Sequence, residues 1–221
     1  MGRSESEVLL HRLACKYLSS HLLDAALFYA ERLHSEVPSA DSLHLLALCY
    51  FRLGKTKQSY LILHDNVHSA SPANKYLFAL ACCKLDKLEE GEQVLRPLKP
   101  RPGPLTLEQV RNTPGGAEGV FLLGRICRRQ HRKDAATACF KLSLAMDPYL
   151  WSAVAELGEM GEAVDMDKLF GNFHAGNSSD VVVDPLLPMR TDRYYSAGTV
   201  RGSAERLQQY SVAEQLSGGG G

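Results

Sequence analysis

The sequence predicts an all-α fold in which pairs of antiparallel helices stack along the chain, and two observations lead to this prediction. The first is a spaced set of residues between positions 120 and 148 that is typical of one tetratricopeptide repeat. The set consists of apolar, small and helix-ending residues: Val120, Leu123, Gly124, Cys127, Ala136, Phe140 and Pro148. A repeat of this kind cannot bury its apolar face alone, so further copies should flank it.

The second observation is that three further copies precede this one in the same frame. Their small residues, with those of the last copy, are Ala14, Ala47, Ala79 and Gly124 on the first helix and Ala26, Ser59, Gly91 and Ala136 on the second. The first-helix residues are 33, 32 and 45 positions apart, and the first two intervals lie near the repeat period of about 34 residues. We therefore predict a tetratricopeptide-repeat superhelix of about four and a half helix pairs. The eight small residues, Phe140 and Trp151 should make its packing contacts.

The first two pairs follow from capping and helix-ending residues. We expect helices over 6–19 and 22–36 in the first pair, which Pro38 ends because proline cannot continue a helix. Ser39 or Asp41 can cap the next helix, which should run to residue 53. Gly54 then favours a left-handed helix end, and the second helix of the pair should cover 55–66.

The later pairs show the same signals. Ser71 and Pro72 fit the N-cap and first position of a helix, and 88–95 should form its partner. The fourth pair is predicted over 117–129 and 133–146. Asp147 and Pro148 repeat the cap and proline before a final helix over 149–158, in which Trp151 should pack on the fourth pair. One further turn is compatible with 165–170.

The extra residues of the longest interval lie in a proline- and glycine-rich segment at 97–116. Proline at this density predicts a mobile surface loop with room for one short helical turn over 105–111. Thr113 and Pro114 in this loop fit either a site for a proline-directed kinase or an unmodified loop. The predicted domains are a flexible N-terminus at 1–6, the solenoid at 7–170 and a disordered, low-complexity tail at 171–221 that lacks apolar periodicity.

Composition excludes several classes of function. The chain has 25 basic and 25 acidic residues, whereas nucleic-acid surfaces carry a basic excess. No apolar run approaches the roughly 20 residues of a membrane helix. The six cysteines lie in predicted helices without a C-x2-C pair, which indicates neither zinc nor disulfides and favours a reducing, nuclear or cytoplasmic location. No catalytic constellation or cofactor motif is present, so we expect no enzyme activity, metal or cofactor.

Several segments, in this order, carry a more specific resemblance. They are DAALFYAERLHSEV (24–37), LALCYFRLGK (46–55), KYL (75–77), ACC (81–83), LEEGEQVL (88–95) and DPYLWS (147–152). Together they resemble the N-terminal repeats of the cell division cycle 27 family, which are subunits of the anaphase-promoting complex, or cyclosome. The resemblance covers about residues 7–170 and implies a non-catalytic scaffold of a cell-cycle ubiquitin ligase. It also implies homodimerisation through these repeats and contacts with other subunits of that complex.

The candidate partner surface lies on the first helix. Its apolar residues, including Leu9, Leu10, Leu13 and Tyr17, cover more than one face and leave little of the polar cap that terminal repeats need. Most of these apolar residues should pack within their own pair. We expect the others to form a dimer contact. The alternative function is an adaptor whose groove binds an extended peptide or partner tail through Tyr17, Tyr50 and Arg52. A chaperone-type carboxylate clamp is missing, because the matching positions are His11, Cys15 and Leu45.

Overall fold

The computed structural model describes residues 4–65, 67, 70–96 and 105–165. Within these ranges the chain forms ten α-helices and no strand. The helices are α1 (Glu5–Ser19), α2 (Leu23–Glu36), α3 (Ala40–Arg52), α4 (Thr56–His64), α5 (Pro72–Lys84), α6 (Leu88–Leu95), α7 (Leu107–Val110), α8 (Gly116–Arg129), α9 (Lys133–Met146) and α10 (Trp151–Glu159). The predicted disordered tail, and all but one residue of the predicted turn over 165–170, lie outside the described residues.

Four helix pairs and a single further helix make up the solenoid. The pairs are α1–α2, α3–α4, α5–α6 and α8–α9, and α10 packs on α9 as the first helix of a fifth pair. Each first helix also packs against the preceding pair, as α3 does on α2 and α5 on α4. These contacts confirm the tetratricopeptide-repeat superhelix that the sequence predicted. In the described part of the chain, no helix is both long and apolar enough to cross a membrane.

The turn between the two helices of a pair is the same in all four pairs. It contains one residue with positive φ: His21 (58°), Gly54 (77°), Asp86 (61°) and His131 (59°). The next backbone N–H donates to the carbonyl five residues earlier, at 2.9 Å in every pair. The chain repeats this turn after α10, where Gly161 has φ 77°. Only Gly54 was predictable, because the other three pairs hold a side chain in the left-handed region.

Capping residues set the helix starts, and two boundaries differ from expectation. Ser39 and Ser71 cap α3 and α5, and Pro72 is the first residue of α5. Ser4 caps α1 by accepting from the Glu7 amide, so residues 5 and 6 are helical rather than part of a flexible N-terminus. Asp147 does not cap α10. It ends α9, and its carboxylate accepts from the Tyr149 amide at 3.0 Å, so α10 starts only at Trp151.

The predicted packing residues lie in the interior, with one exception. Those with no exposed surface are Ala14, Ala26, Ala47, Ser59, Ala79, Ala136 and Phe140, and Gly91 and Gly124 are also buried. Of the two packing glycines, Gly124 has the closer neighbour, because an added Cβ would lie 2.5 Å from the Phe140 ring. Trp151 is the exception, since it is 61% exposed. The prediction that it packs on the fourth pair was wrong because α10 begins at this residue and buries Ala153, Val154 and Leu157 instead.

The segment before α8 agrees with its prediction in one respect and differs in another. The short helical turn predicted over 105–111 forms as α7 (Leu107–Val110). Residues 97–104 lie outside the described part, but 105–116 pack against the solenoid instead of forming a surface loop. Val110 has no exposed surface and Thr113 is 3% exposed. The Thr113 hydroxyl finds no hydrogen-bond partner among the described residues. A kinase could not reach this hydroxyl in the folded chain, which removes the structural basis for a phosphorylation site at Thr113.

Candidate interaction surfaces

The outer face of α1 is open because no preceding pair covers it in the described part of the chain. Equivalent positions on α3, α5 and α8 are buried against the pair before them. For Leu9, Arg12 and Lys16 on α1, these equivalents are Ser42, Leu45 and Cys49; Asn74, Leu77 and Ala81; and Gly119, Leu122 and Ile126. Leu9 is 53% exposed and Val8 is 40% exposed. The first pair therefore presents one apolar side chain, Leu9, and two cationic ones, Arg12 and Lys16, at positions that the later pairs use for helix packing.

The four predicted α1 residues do not lie in equivalent environments. Leu10, Leu13 and Tyr17 are half-buried, and Leu10 and Tyr17 pack on the core of the first pair. Tyr17 stacks on Tyr29 with ring centroids 5.5 Å apart. Leu9 is thus the most accessible of the four. The expectation that α1 lacks a polar cap was wrong, because Arg12 and Lys16 are exposed on its outer face.

Sequence reasoning missed three exposed apolar residues on the second helices. Phe28 on α2 and Leu61 on α4 are each 60% exposed at the same register, and Leu22 is 56% exposed just before α2. Phe28 is two positions from the buried Ala26, which places it about 200° around the helix and away from the core. A helical-wheel comparison of α2 would have found it. These residues add exposed apolar side chains to the first two pairs.

The other two predicted site residues, Tyr50 and Arg52, separate in the structure. The Tyr50 hydroxyl donates to Glu31 Oε1 at 2.7 Å, and this hydrogen bond, with some burial, raises the pKa of Tyr50. Tyr50 therefore joins the first pair to the second. Its hydroxyl is already engaged by Glu31, so it is less suited than Arg52 to contact a ligand in the groove. Arg52 lies in the last turn of α3 and is exposed.

Polar side chains fix the register between later pairs. Asn74 on α5 donates through its amide to the Ala40 carbonyl at 3.1 Å, and its Oδ1 lies 2.9 Å from Nδ1 of His44. Burial lowers the pKa of His44 despite this contact. Between the third and fourth pairs, guanidinium nitrogens of Arg96 and Arg132 each lie 2.6 Å from Oε1 of Glu92. These contacts give the solenoid a defined geometry on which an interface can be built.

The described residues contain no group of three or more histidine, cysteine or acidic side chains that could hold a metal ion. All six cysteines are free thiols, and four of them are buried. Burial raises the pKa of Cys49 to about 12, and it does the same for Cys82, which keeps both thiols protonated and unreactive near neutral pH.

Comparison with known proteins finds a family model and several relatives to which this chain is similar. Residues 19–98 match the family model described as "Anaphase-promoting complex, cyclosome, subunit 3". Cell division cycle protein 27 homolog A of Arabidopsis thaliana is 36% identical over 166 residues, which are 75% of this chain and 22% of that protein. The human cell division cycle protein 27 homolog is 39% identical over 153 residues, covering 66% of this chain and 18% of the relative. The chain thus spans about a fifth of the length of these relatives.

Solved structures confirm the fold. The anaphase-promoting-complex heterotetramer of Cut9 and Hcn1 matches with a TM-score of 0.59 at 21% identity, over 70% of this chain and 29% of that one. MamA of Desulfovibrio magneticus matches with a TM-score of 0.57 at 14% identity, over 80% of this chain and 100% of that one. At these identities the likeness is one of architecture.

Proposed function

Because the chain carries a tetratricopeptide-repeat domain of the cell division cycle protein 27 family, we propose that it is a scaffold of the anaphase-promoting complex. In this role it pairs with a second copy of itself and contacts other subunits of the complex. It contributes binding surfaces and no catalytic group to the ubiquitin ligase. The same membership implies a nuclear and cytoplasmic location, which fits its six free cysteines.

The distribution of exposed apolar side chains carries the homodimer proposal. Seven large hydrophobic residues are exposed in the described part of the chain, and five of them belong to the first two pairs: Val8, Leu9, Leu22, Phe28 and Leu61. Single exposed hydrophobic residues are normal, but a group on neighbouring helices is typical of an interaction site. A twofold dimer needs one self-complementary patch, and this group supplies the apolar part of it.

Charged residues around the apolar group can set the orientation of the two copies. Glu5, Arg12 and Lys16 are exposed on α1 beside Leu9. In a twofold dimer, Glu5 at the start of α1 in one copy can face Arg12 and Lys16 on α1 of the other copy. Charges at the rim of an interface mainly affect specificity and association rate, so the apolar side chains should dominate the affinity.

The test replaces exposed residues so that folding is preserved. A variant with Leu9→Glu and Phe28→Glu should be monomeric by light scattering and should keep the far-UV circular dichroism of the parent chain. Replacing Leu13 and Tyr17 would be less informative, because both are half-buried and Tyr17 stacks on Tyr29. Leu107→Glu is the matched control, since Leu107 is 37% exposed but lies on α7. A double variant that stays dimeric would contradict this interface, as would a control that becomes monomeric to the same extent.

A further inference from the structure

The turns within the second, third and fourth helix pairs form one edge of the solenoid, and this edge is basic. We call the segments 49–57, 81–89 and 126–134 the turn edge. Each segment runs from five residues before the positive-φ residue of its turn to three residues after it. Together the three segments carry nine lysine and arginine residues and three acidic residues, although the whole chain has 25 of each charge.

The links from one pair to the next lie at the opposite edge and carry the opposite charge. Three of these links, at 36–42, 64–72 and 146–151, contain no lysine or arginine, and their acidic residues are Glu36, Asp41, Asp65 and Asp147. The fourth link is the long insertion before α8. Because the two helices of a pair are antiparallel, turns and links alternate between the two edges. The balanced composition of the chain therefore conceals a basic edge.

Neighbouring turns are close enough for one side chain to bridge them. Lys84 Nζ in the third pair lies 4.1 Å from the centroid of the Phe51 ring in the second pair. Arg129 in the fourth pair donates to the Cys83 carbonyl of the third pair, and it also donates to Asp86 there at 2.8 Å. The turn edge is thus one continuous surface across three pairs.

Helix stability does not account for the cations of the turn edge. The start of a helix carries partial positive charge, so serine and acidic residues are favoured there and cations are disfavoured. The first helices follow this rule, with Ser39 and Ser71 as the N-caps of α3 and α5. In contrast, Lys55, Lys87 and Arg132 occupy the N-cap positions of α4, α6 and α9 and make no capping hydrogen bond. Residues that break a local rule repeatedly are expected at functional surfaces.

Some cations of the turn edge have a carboxylate partner, and others are available to a ligand. Arg132 lies 2.6 Å from Oε1 of Glu92. Lys55, Lys57 and Lys133 are exposed, and no carboxylate of the described residues pairs with them. An anionic group that reached these three lysines would gain a partner without displacing one.

We propose that the turn edge binds an acidic segment of another protein, one that is rich in aspartate and glutamate and needs no apolar anchor. None of the exposed large hydrophobic residues lies on this edge, so charge is its main recognition feature. Carboxylates of the segment pair with Lys55 and Lys57 at the turn of the second pair and with Lys133 at the turn of the fourth. This binding goes beyond the proposed homodimer and does not use the concave surface.

A nucleic acid fits the turn edge less well than an acidic protein segment does. It carries a negative charge on every nucleotide, and these charges would pass Asp86, Glu89 and Asp134. A protein segment can place neutral residues at those three positions and carboxylates at the lysines.

The experiment measures fluorescence anisotropy of labelled ligands with the whole chain. The first probe is a sixteen-residue peptide that repeats Glu-Asp-Gly-Ser, which spans roughly 50 Å when extended. The second probe repeats Lys-Arg-Gly-Ser, and the third is a single-stranded DNA of sixteen nucleotides. We expect the acidic peptide to bind most tightly, with an affinity that falls as salt increases. Equal binding of the two peptides would overturn the proposal, as would tighter binding of the DNA.

Matched variants of the chain locate the site. Lys55→Glu with Lys57→Glu should weaken binding of the acidic peptide about tenfold, and the fold should be kept because glutamate is favoured at the start of α4. Lys133→Glu should also weaken binding, since the peptide covers both turns. Arg32→Glu with Arg111→Glu is the control, because it changes the net charge equally at exposed positions off the turn edge. Equal losses in the two double variants, or no loss in Lys133→Glu, would overturn the proposal.

Light scattering on the same variants separates this inference from the proposed homodimer. If Lys55→Glu with Lys57→Glu converts the chain to a monomer, the turn edge belongs to the contact between copies and the inference is overturned. If this variant stays dimeric and loses the acidic peptide, the inference holds. A parent chain that is monomeric yet binds the acidic peptide would contradict the proposed homodimer alone.

Discussion

Replacing Gly124 by alanine should destabilise the solenoid, although alanine is the better helix former. The added Cβ would lie 2.5 and 2.7 Å from two ring carbons of Phe140 and 3.2 Å from Cys139 Cβ. Carbon atoms pack best at about 3.5–4.0 Å, so the overlap with the ring approaches 1 Å. Phe140 has no exposed surface into which it can move. Overpacking of this kind costs about 1–3 kcal/mol, and the gain in helix propensity of about 1 kcal/mol offsets only part of it.

Gly158 on α10 is the matched control, because nothing lies within 4 Å of its added Cβ. Gly158→Ala should therefore gain a few tenths to about 1 kcal/mol from helix propensity alone. Gly91→Ala should fall between the two, since its Cβ would meet Cys82 Cβ at 3.2 Å and Ile126 Cδ1 at 3.3 Å. Urea unfolding followed by circular dichroism measures all three. In a chain of this size each kcal/mol corresponds to a shift in Tm of about 2–4 °C.

A double variant tests whether the ring is the cause. Pairs two and three hold alanine at the Gly124 register, as Ala47 and Ala79, opposite Leu63 and Leu95 at the Phe140 register. Gly124→Ala combined with Phe140→Leu should thus lose less stability than the two single changes together, by about 1 kcal/mol or more. Strict additivity, or a stabilising Gly124→Ala, would refute the packing argument.

The remaining predictions concern buried polar groups. Ser59→Ala should raise the free energy of unfolding by about 1 kcal/mol, since the buried Ser59 hydroxyl has no hydrogen-bond partner among the described residues; urea titration checks it, and a loss of stability would indicate an undetected partner. Glu92→Gln should cost about 1–3 kcal/mol at neutral pH because it removes the charge that pairs with Arg96 and Arg132. Burial acts to raise the pKa of Glu92, but hydrogen bonds from Arg132 and Gln130 and the charges of Arg96 and Arg132 outweigh it, so the pKa lies below its ordinary value of 4.5. A lowered carboxyl pKa stabilises the fold above the unfolded pKa, and that stability is lost as pH falls below 4.5 through the folded value. The difference in stability between the parent chain and Glu92→Gln should therefore shrink on acidification, and a difference that does not change with pH would contradict this cause.

The fold was predictable because its determinants are local and repeated. Small residues at one register, together with serine caps and proline at Ser71 and Pro72, give both the pairing and most helix boundaries. The turns within the helix pairs were harder to predict from the sequence. His21, Asp86 and His131 adopt positive φ where glycine would have been the signal, and this is imposed by the packing of the two helices around each turn.

The candidate surfaces were only partly predictable, because exposure depends on which neighbour covers a helix. Leu9 was identified from its place on a terminal helix, but Phe28 was not, since a lone phenylalanine in an amphipathic helix usually faces the core. Trp151 was expected to pack on the fourth pair because its helix was predicted to begin a fifth pair there. Trp151 lies two positions before the buried Ala153, about 200° around α10, and therefore faces away from the fourth pair.

Sedimentation equilibrium of the unmodified chain over a hundredfold range of concentration tests the homodimer most directly. We expect a mass of twice the 24.3 kDa of one chain, which falls to a single chain only on dilution or in Leu9→Glu with Phe28→Glu. A mass of one chain across the whole range would contradict self-association through the first two pairs.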